Sequence, residues 1–208
     1  MPKHFFLTGI GTNVGKTIVS AVLTEAFNAD YWKPIQTGSE TDSDEKTVKN
    51  MVANSVTTIH PTLIKYKLPA SPNIASNAEG ATIDLNDIVF PSTSKTLIIE
   101  GAGGIMVPIN SQHTFIDFII KNKLEVILVV NDYLGCINHT LLSLEVLKTH
   151  QIKIAFIVFN GHFDKAVKYT ILKFTDIPFI DVPNFEKLEA KEIEKVANTK
   201  RNELQGYR

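Results

Sequence analysis

The residues with the clearest chemical potential form one run, Gly9-Ile10-Gly11-Thr12-Asn13-Val14-Gly15-Lys16-Thr17. Glycines let a backbone curl until successive N–H groups converge on an anion, and a helix starting there adds the positive end of its dipole. A lysine at position 16 would reach the outer phosphates of a nucleotide, and the Thr17 hydroxyl would ligate Mg²⁺. Five residues separate Gly9 from Gly15, one more than the usual phosphate-loop spacing, so the flanking elements must support the assignment. They do: an apolar run, His4–Thr8, precedes the loop, and a segment of helical period, Lys16–Asn28, follows it.

Mg²⁺ takes hard oxygen ligands, usually one or two carboxylates beside phosphate and water. Glu100 closes the apolar run Thr96–Ile99 and precedes Gly101-Ala102-Gly103-Gly104, where a nucleotide could approach without steric conflict. The same glutamate could instead cap a tight turn. Asp44 sits with Asp42 and Glu45 in a polar run and reads equally well as a metal ligand or as a helix start. Lys33, at an apolar strand end before Pro34, needs an anionic partner unless it snorkels to solvent. Asn160, before Gly161, could read an adenine edge or make a local turn.

Six short apolar runs alternate with segments of helical period. The runs are His4–Thr8, Tyr31–Ile35, Thr96–Ile99, Val126–Val130, Ile154–Phe159 and Phe179–Val182. Helices are expected near 16–28, 44–54, 115–122, 137–149, 165–174 and 187–203. Runs apolar at every position mark strands buried on both faces. The order therefore predicts an α/β fold of P-loop NTPase type, with a mostly parallel sheet flanked by helices on both faces. Ligands in such sheets gather at the strand carboxyl ends. A length of 208 residues suits a single domain over 1–208. The stretch Thr57–Ser94 breaks the rhythm: it holds Pro61, Pro69, Pro72 and Pro91 and no strong strand signal, with one short helix expected at Leu85–Val89.

Bulk composition narrows the classes. Net charge is −1, so no broad basic field exists to hold nucleic acid or anionic lipid. Cys136 is the sole cysteine, which excludes an intrachain disulfide and suits a reducing cytoplasm. No apolar run approaches the roughly 18 residues of a membrane span. The short apolar start runs straight into a glycine-rich turn, so no signal peptide is expected. The six histidines form no close metal-binding pair, and no nucleophile elbow stands out.

Taken as an ordered set, Thr8–Thr17, Lys33-Pro34-Ile35-Gln36-Thr37-Gly38, Ser71-Pro72, Ile99–Gly104, Leu134-Gly135-Cys136-Ile137-Asn138-His139 and Asn160 resemble the dethiobiotin synthetase family. The resemblance runs from Phe5 to about Phe185. It implies ATP- and Mg²⁺-dependent closure of a cyclic urea from 7,8-diaminononanoate and CO₂, through a carbamate and a carbamic-phosphoric anhydride, giving ADP and phosphate. By the same resemblance Lys33 and Lys16 are the catalytic lysines, and Thr17, Asp44 and Glu100 bind the metal. ATP would be held by Asn13, Val14, Gly15, Lys16, Thr17, Ile18, Asp44, Glu100, Gly101, Ala102, Gly103, Asn160, Gly161, Pro183, Asn184 and Phe185. Thr12 and Thr37 would face the substrate. Gly135 and Asn138 would serve the partner's site in a homodimer, whose helix N-terminus receives the substrate carboxylate.

Departures exist: Gly11 stands where the family often has aspartate, and Asn184 where an aromatic is common. Two rivals share the loop. An amide synthase of the cobyrinate type usually carries an added glutaminase domain, for which 208 residues leave no room. A partitioning or cell-division ATPase carries a second lysine near the loop start, where this chain has Gly9-Ile10-Gly11.

Overall fold

A computed structural model of the chain describes residues 3–38 and 43–207. The first strand, β1 (His4–Gly9), is apolar almost throughout and buried, and it lies at the centre of a seven-stranded sheet. The helix α1 (Lys16–Phe27) and the strand β2 (Asp30–Trp32) follow it. Next come β3 (Ile35–Thr37), α2 (Asp44–Met51), β4 (Ile59–His60), β5 (Ile64–Tyr66) and α3 (Pro72–Ala78). The chain then returns through β6 (Leu97–Gly104), α4 (Phe115–Asn122), β7 (Glu125–Val130), α5 (Cys136–Thr149), β8 (Ile154–Asn160), α6 (Lys165–Leu172), β9 (Phe179–Val182) and α7 (Ala190–Lys200).

The large sheet runs β4-β2-β6-β1-β7-β8-β9, and every neighbouring pair is parallel. The connection direction reverses about β1: the chain first moves outward to β2, then returns through β6 and proceeds to β7. Right-handed crossovers in opposite directions put α1 and α4 on opposite faces. The alternation of β1 agrees, since Phe5 and Leu7 join a core cluster with Val19 and Val22 of α1, whereas Phe6 joins a second with Phe115 and Phe118 of α4. At α4, Thr114 N donates to Asp117 Oδ2 at 2.7 Å, closing a capping box, and Lys123 ends it at φ 52°.

Three expectations required revision. The run Tyr31–Ile35 is two strands, because Pro34 has no N–H for a ladder and the chain leaves the large sheet there. Ile35–Thr37 then pairs in parallel with Ile64–Tyr66 in a separate two-stranded sheet. The run Thr96–Ile99 continues as strand to Gly104, so Glu100 lies within a strand rather than at its end. Glycine permits this: a Cβ at Gly101 would sit 2.6 Å from the Phe6 ring. Thirdly, 85–89 forms a turn rather than a helix, with Leu85 and Ile88 still buried against the second cluster. The proline-rich excursion instead contributes β4, β5 and α3. The helices expected over 44–54, 165–174 and 187–203 each stop short, at 51, 172 and 200, and the last begins at 190.

Candidate active site

The loop between β1 and α1 is shaped by two left-handed residues, Asn13 at φ 60° and Gly15 at φ 86°. A Cβ at Gly15 would lie 2.0 Å from Asn160 Nδ2, so the position needs glycine on both conformational and steric grounds. Asn160, at the end of β8, donates that same amide to Val14 O at 3.0 Å. Of the two sequence readings of Asn160, a base reader or a local turn, neither describes this contact: the side chain ties β8 to the phosphate loop.

A cavity of about 690 Å³ opens over the loop at the carboxyl edge of the sheet. Thr12, Asn13, Gly15, Lys16, Thr17 and Ile18 line it from the loop and α1, Thr37, Glu100, Ala102 and Gly103 from the strands, Lys33 from the link between β2 and β3, and Asp44 from the start of α2. Lys16 Nζ donates to Gly11 O at 2.9 Å, folded back along its own loop. Burial lowers its pKa to about 8, with the charges of Glu100 and Asp44 opposing that shift and Lys33 adding to it.

The carboxylates meet at the head of α1. Thr17 Oγ1 lies 2.5 Å from Asp44 Oδ1 and 3.1 Å from Glu100 Oε1. Lys33 Nζ lies 3.1 Å from Glu100 Oε1 and makes an ion pair with Asp44 as well. Lys33 and Glu100 are both buried, at 5% and 1% exposure. Burial alone would lower the Lys33 pKa, but Glu100 and Asp44 outweigh it and the ammonium is held above its ordinary value. Asp44 moves the other way: burial would raise its pKa, and Lys33, Thr17 and Lys16 bring it below the usual carboxylate range. Lys33 is thus a fixed cation at neutral pH rather than a base.

Asp44 is the first residue of α2, and its carboxylate is not used as the cap of that helix. Ser43 takes the N-cap position of α2 and accepts from Lys46 N at 3.4 Å, leaving the Asp44 carboxylate to Thr17 and Lys33. Glu45 turns away, accepting from Thr62 N at 2.8 Å, and Asp42 lies outside the described residues. Thr17, Asp44 and Glu100 offer only hard oxygens at one point, a donor set that fits Mg²⁺. No cluster of three or more His, Cys, Asp or Glu side chains with metal-ligating geometry occurs among the described residues.

Not every expected residue gathers here. Val14 is buried in the core, and Gly101 faces Phe6. Gly161 and Pro183 border a second groove, beside Lys165, Lys168, Lys195 and Lys200. Asn184 lies against Gly161, and Phe185 packs on the main core. Gly135 and Asn138 are exposed and do not line the cavity of their own chain.

Sequence reasoning gave no role to six residues that the structure brings to the site. Pro69, Ala70 and Val107 wall the cavity, and Gln36 lines it beside Thr37. Ser20 and Tyr31 both bond to Glu100. A signal existed for the last pair. Ser20 stands one helical turn after Lys16 and Thr17, and Tyr31 is two residues before Lys33, on the same face of an extended chain.

Comparison with known proteins agrees with this architecture. A family model described as an AAA domain matches residues 3–192. An ATP-dependent dethiobiotin synthetase BioD of Christiangramia forsetii is 43% identical over 196 residues, covering 92% of this chain and 94% of that protein. The chain belongs to the dethiobiotin synthetase family. It is an ATP-dependent ligase of that family. The BioD of Cytophaga hutchinsonii is likewise 45% identical over 174 residues, 83% of this chain and 84% of its own. Among solved structures, a ParA family ATPase of Chlorobium tepidum aligns with a TM-score of 0.58 at 12% identity, covering 95% of this chain and 98% of its own. The septum site-determining protein MinD of Pyrococcus horikoshii aligns at 0.54 and 14%, covering 96% of each. At such identities the likeness is one of fold, the P-loop α/β fold, and the synthetase relatives decide the family.

Proposed function

We propose that this chain, acting as a single domain, closes the ureido ring of dethiobiotin from 7,8-diaminononanoate and CO₂ at the expense of ATP and with Mg²⁺. The observation that carries this reading is the convergence of phosphate loop, two lysines and two carboxylates in one cavity that Pro69, Ala70, Ser71 and Pro72 also line. A nucleotide switch needs the loop and the metal; it has no use for a second buried cation facing a walled space beyond the phosphates.

The reaction brings anions together. A carbamate formed from one amine and CO₂ attacks the γ-phosphorus; the bond to the β-phosphate oxygen breaks and ADP leaves. The second amine then attacks the carbamoyl carbon, phosphate departs with the C–O electron pair, and the amine proton is lost to water. Positioning and charge stabilisation dominate such transfers. Lys16 would hold the outer phosphates through the ammonium now turned to Gly11 O. Lys33, kept protonated by its carboxylate neighbours, would face the charge developing between carbamate and phosphoryl group. Mg²⁺, held by Thr17, Asp44 and Glu100, would supply charge neutralisation on the phosphates. Thr12 and Thr37 line the same cavity, and their hydroxyls would hydrogen-bond the carbamate or amine.

A homodimer completes the reading. Gly135 and Asn138 are exposed at the start of α5, in company with the apolar Leu134 and Leu142, which is support for burial against a second copy. A helix N-terminus offered across that contact suits the substrate's carboxylate. The deciding experiment supplies diamine, bicarbonate, Mg²⁺ and ATP and follows dethiobiotin by mass. ATP hydrolysis indifferent to the diamine would reject the synthetase reading in favour of a switch.

A further inference from the structure

Glu100 is 1% exposed, in the middle of β6, and its two oxygens are used differently. Oε1 faces the cavity side, 3.1 Å from both Thr17 Oγ1 and Lys33 Nζ. Oε2 faces the core and accepts two neutral hydroxyl bonds, from Ser20 Oγ at 2.8 Å and Tyr31 Oη at 3.0 Å. Ser20 and Tyr31 are fully buried and come from different elements, α1 and β2, so they approach that oxygen from two directions.

A carboxylate with both oxygens free can rotate about its last bond or engage a neighbouring ammonium with both. With one oxygen held by two donors fixed in packed elements, rotation would cost hydrogen bonds to a charged group, each stronger than a neutral pair. Neutral donors suit this task, since they fix the group without cancelling the charge that a cation needs.

We infer that Ser20 and Tyr31 are positioning residues for Glu100, holding Oε2 in the core so that Oε1 alone is presented to the divalent cation of the proposed reaction. This rests on the reading that Glu100 is a metal ligand. Outer groups that orient ligands are worth about 10- to 100-fold in metal affinity elsewhere.

The test measures Mn²⁺ binding directly, by electron paramagnetic resonance, with a non-hydrolysable ATP analogue present. Tyr31→Phe, Ser20→Ala and the double variant are compared with wild type and Glu100→Gln. Each single variant should bind Mn²⁺ about 10-fold more weakly, and the double variant more weakly still. Affinity for the analogue without divalent ion should stay within about twofold of wild type, which a general loosening of the fold would not allow. Phenylalanine retains the ring that fills the core, and Ser20→Ala removes one small hydroxyl, so the two variants check each other's folding. Wild-type Mn²⁺ affinity in both single variants and the double, beside a loss in Glu100→Gln, would overturn the positioning role alone. Unchanged Mn²⁺ binding in Glu100→Gln would overturn the metal reading, and this inference with it.

Discussion

Replacing Lys33 by methionine keeps an unbranched side chain of nearly the same length and removes the ammonium with its charge and its hydrogen bonds to Asp44 and Glu100. In the native chain that ammonium lies 3.1 Å from Glu100 Oε1 and is paired with Asp44 as well, with Lys33 and Glu100 all but sealed from water. At an effective dielectric of 20, an attraction over that distance amounts to about 5 kcal/mol, most of which offsets the cost of burying the two charges. Removing one partner leaves the buried Glu100 and half-buried Asp44 carboxylates close together and countered only by Lys16, so the variant should lose about 3 kcal/mol of stability at pH 7.5. For a chain of this size that corresponds to a Tm lower by about 10 °C.

The pH dependence gives the sharper test. In the wild type the Asp44 pKa is depressed, so its contribution is present above the unfolded value of 3.8 and is lost as pH falls through the folded one. The raised Lys33 contributes fully below its unfolded value of 10.5 and loses this only at higher pH. In Lys33→Met the Asp44 carboxylate loses its nearest cation and burial is left to raise its pKa, so acid relieves the variant, while the wild type keeps its Asp44 contribution down to about pH 4. Urea unfolding at pH 7.5 and 4.5 should show the stability gap shrinking by half or more. Millimolar Mg²⁺ at pH 7.5 should restore part of the loss by replacing the missing charge. Equal stability at pH 7.5, or a gap that widens on acidification, would refute the account of Lys33 as their counter-ion.

Other expectations follow from single contacts. Because burial holds Lys16 at about 8, triphosphate binding near that pH should take up about half a proton, measurable by calorimetry in buffers of different ionisation enthalpy; no uptake would mean the ammonium is already fully charged. Gly15→Ala places a methyl 2.0 Å from Asn160 Nδ2 at φ 86°, so a cost of about 1–3 kcal/mol and at least tenfold weaker nucleotide binding are expected, eased by adding Asn160→Ala. In the proposed homodimer, subunit exchange between inactive Lys33→Ala and Asn138→Ala should restore about a quarter of wild-type activity, since half the dimers would be mixed and each would have one intact site. Proven exchange without recovery would place Asn138 within its own chain's site.

Much of the fold was legible because its signals are local. Buried parallel strands read as continuous apolar runs, and Val126–Val130 or Ile154–Phe159 need no tertiary context to be recognised. The phosphate loop was legible for the same reason, as its glycines answer to backbone geometry within nine residues. The proline-rich excursion was not. Its strands of two and three residues are too short to show a period, and they exist only because β2 and β3 offer partners. The turn at 85–89 carries apolar residues at helical spacing, yet those residues are recruited singly by the second core cluster.

At the site the same division holds. Local pattern was enough to show the loop, the lysine and two acidic residues, at 44 and 100, that needed a purpose. Tertiary structure decided that Asp44, 56 residues from Glu100 along the chain, shares one ammonium and one hydroxyl with it. It also decided that the serine and tyrosine behind Glu100 touch it at all. Sequence patterns report periods along one element, whereas a carboxylate's partners arrive from whichever elements the crossovers bring to the same sheet edge. Ser20 on α1 and Tyr31 on β2 meet β6 because the chain returns to insert that strand between β1 and β2, and no spacing within either segment encodes the return.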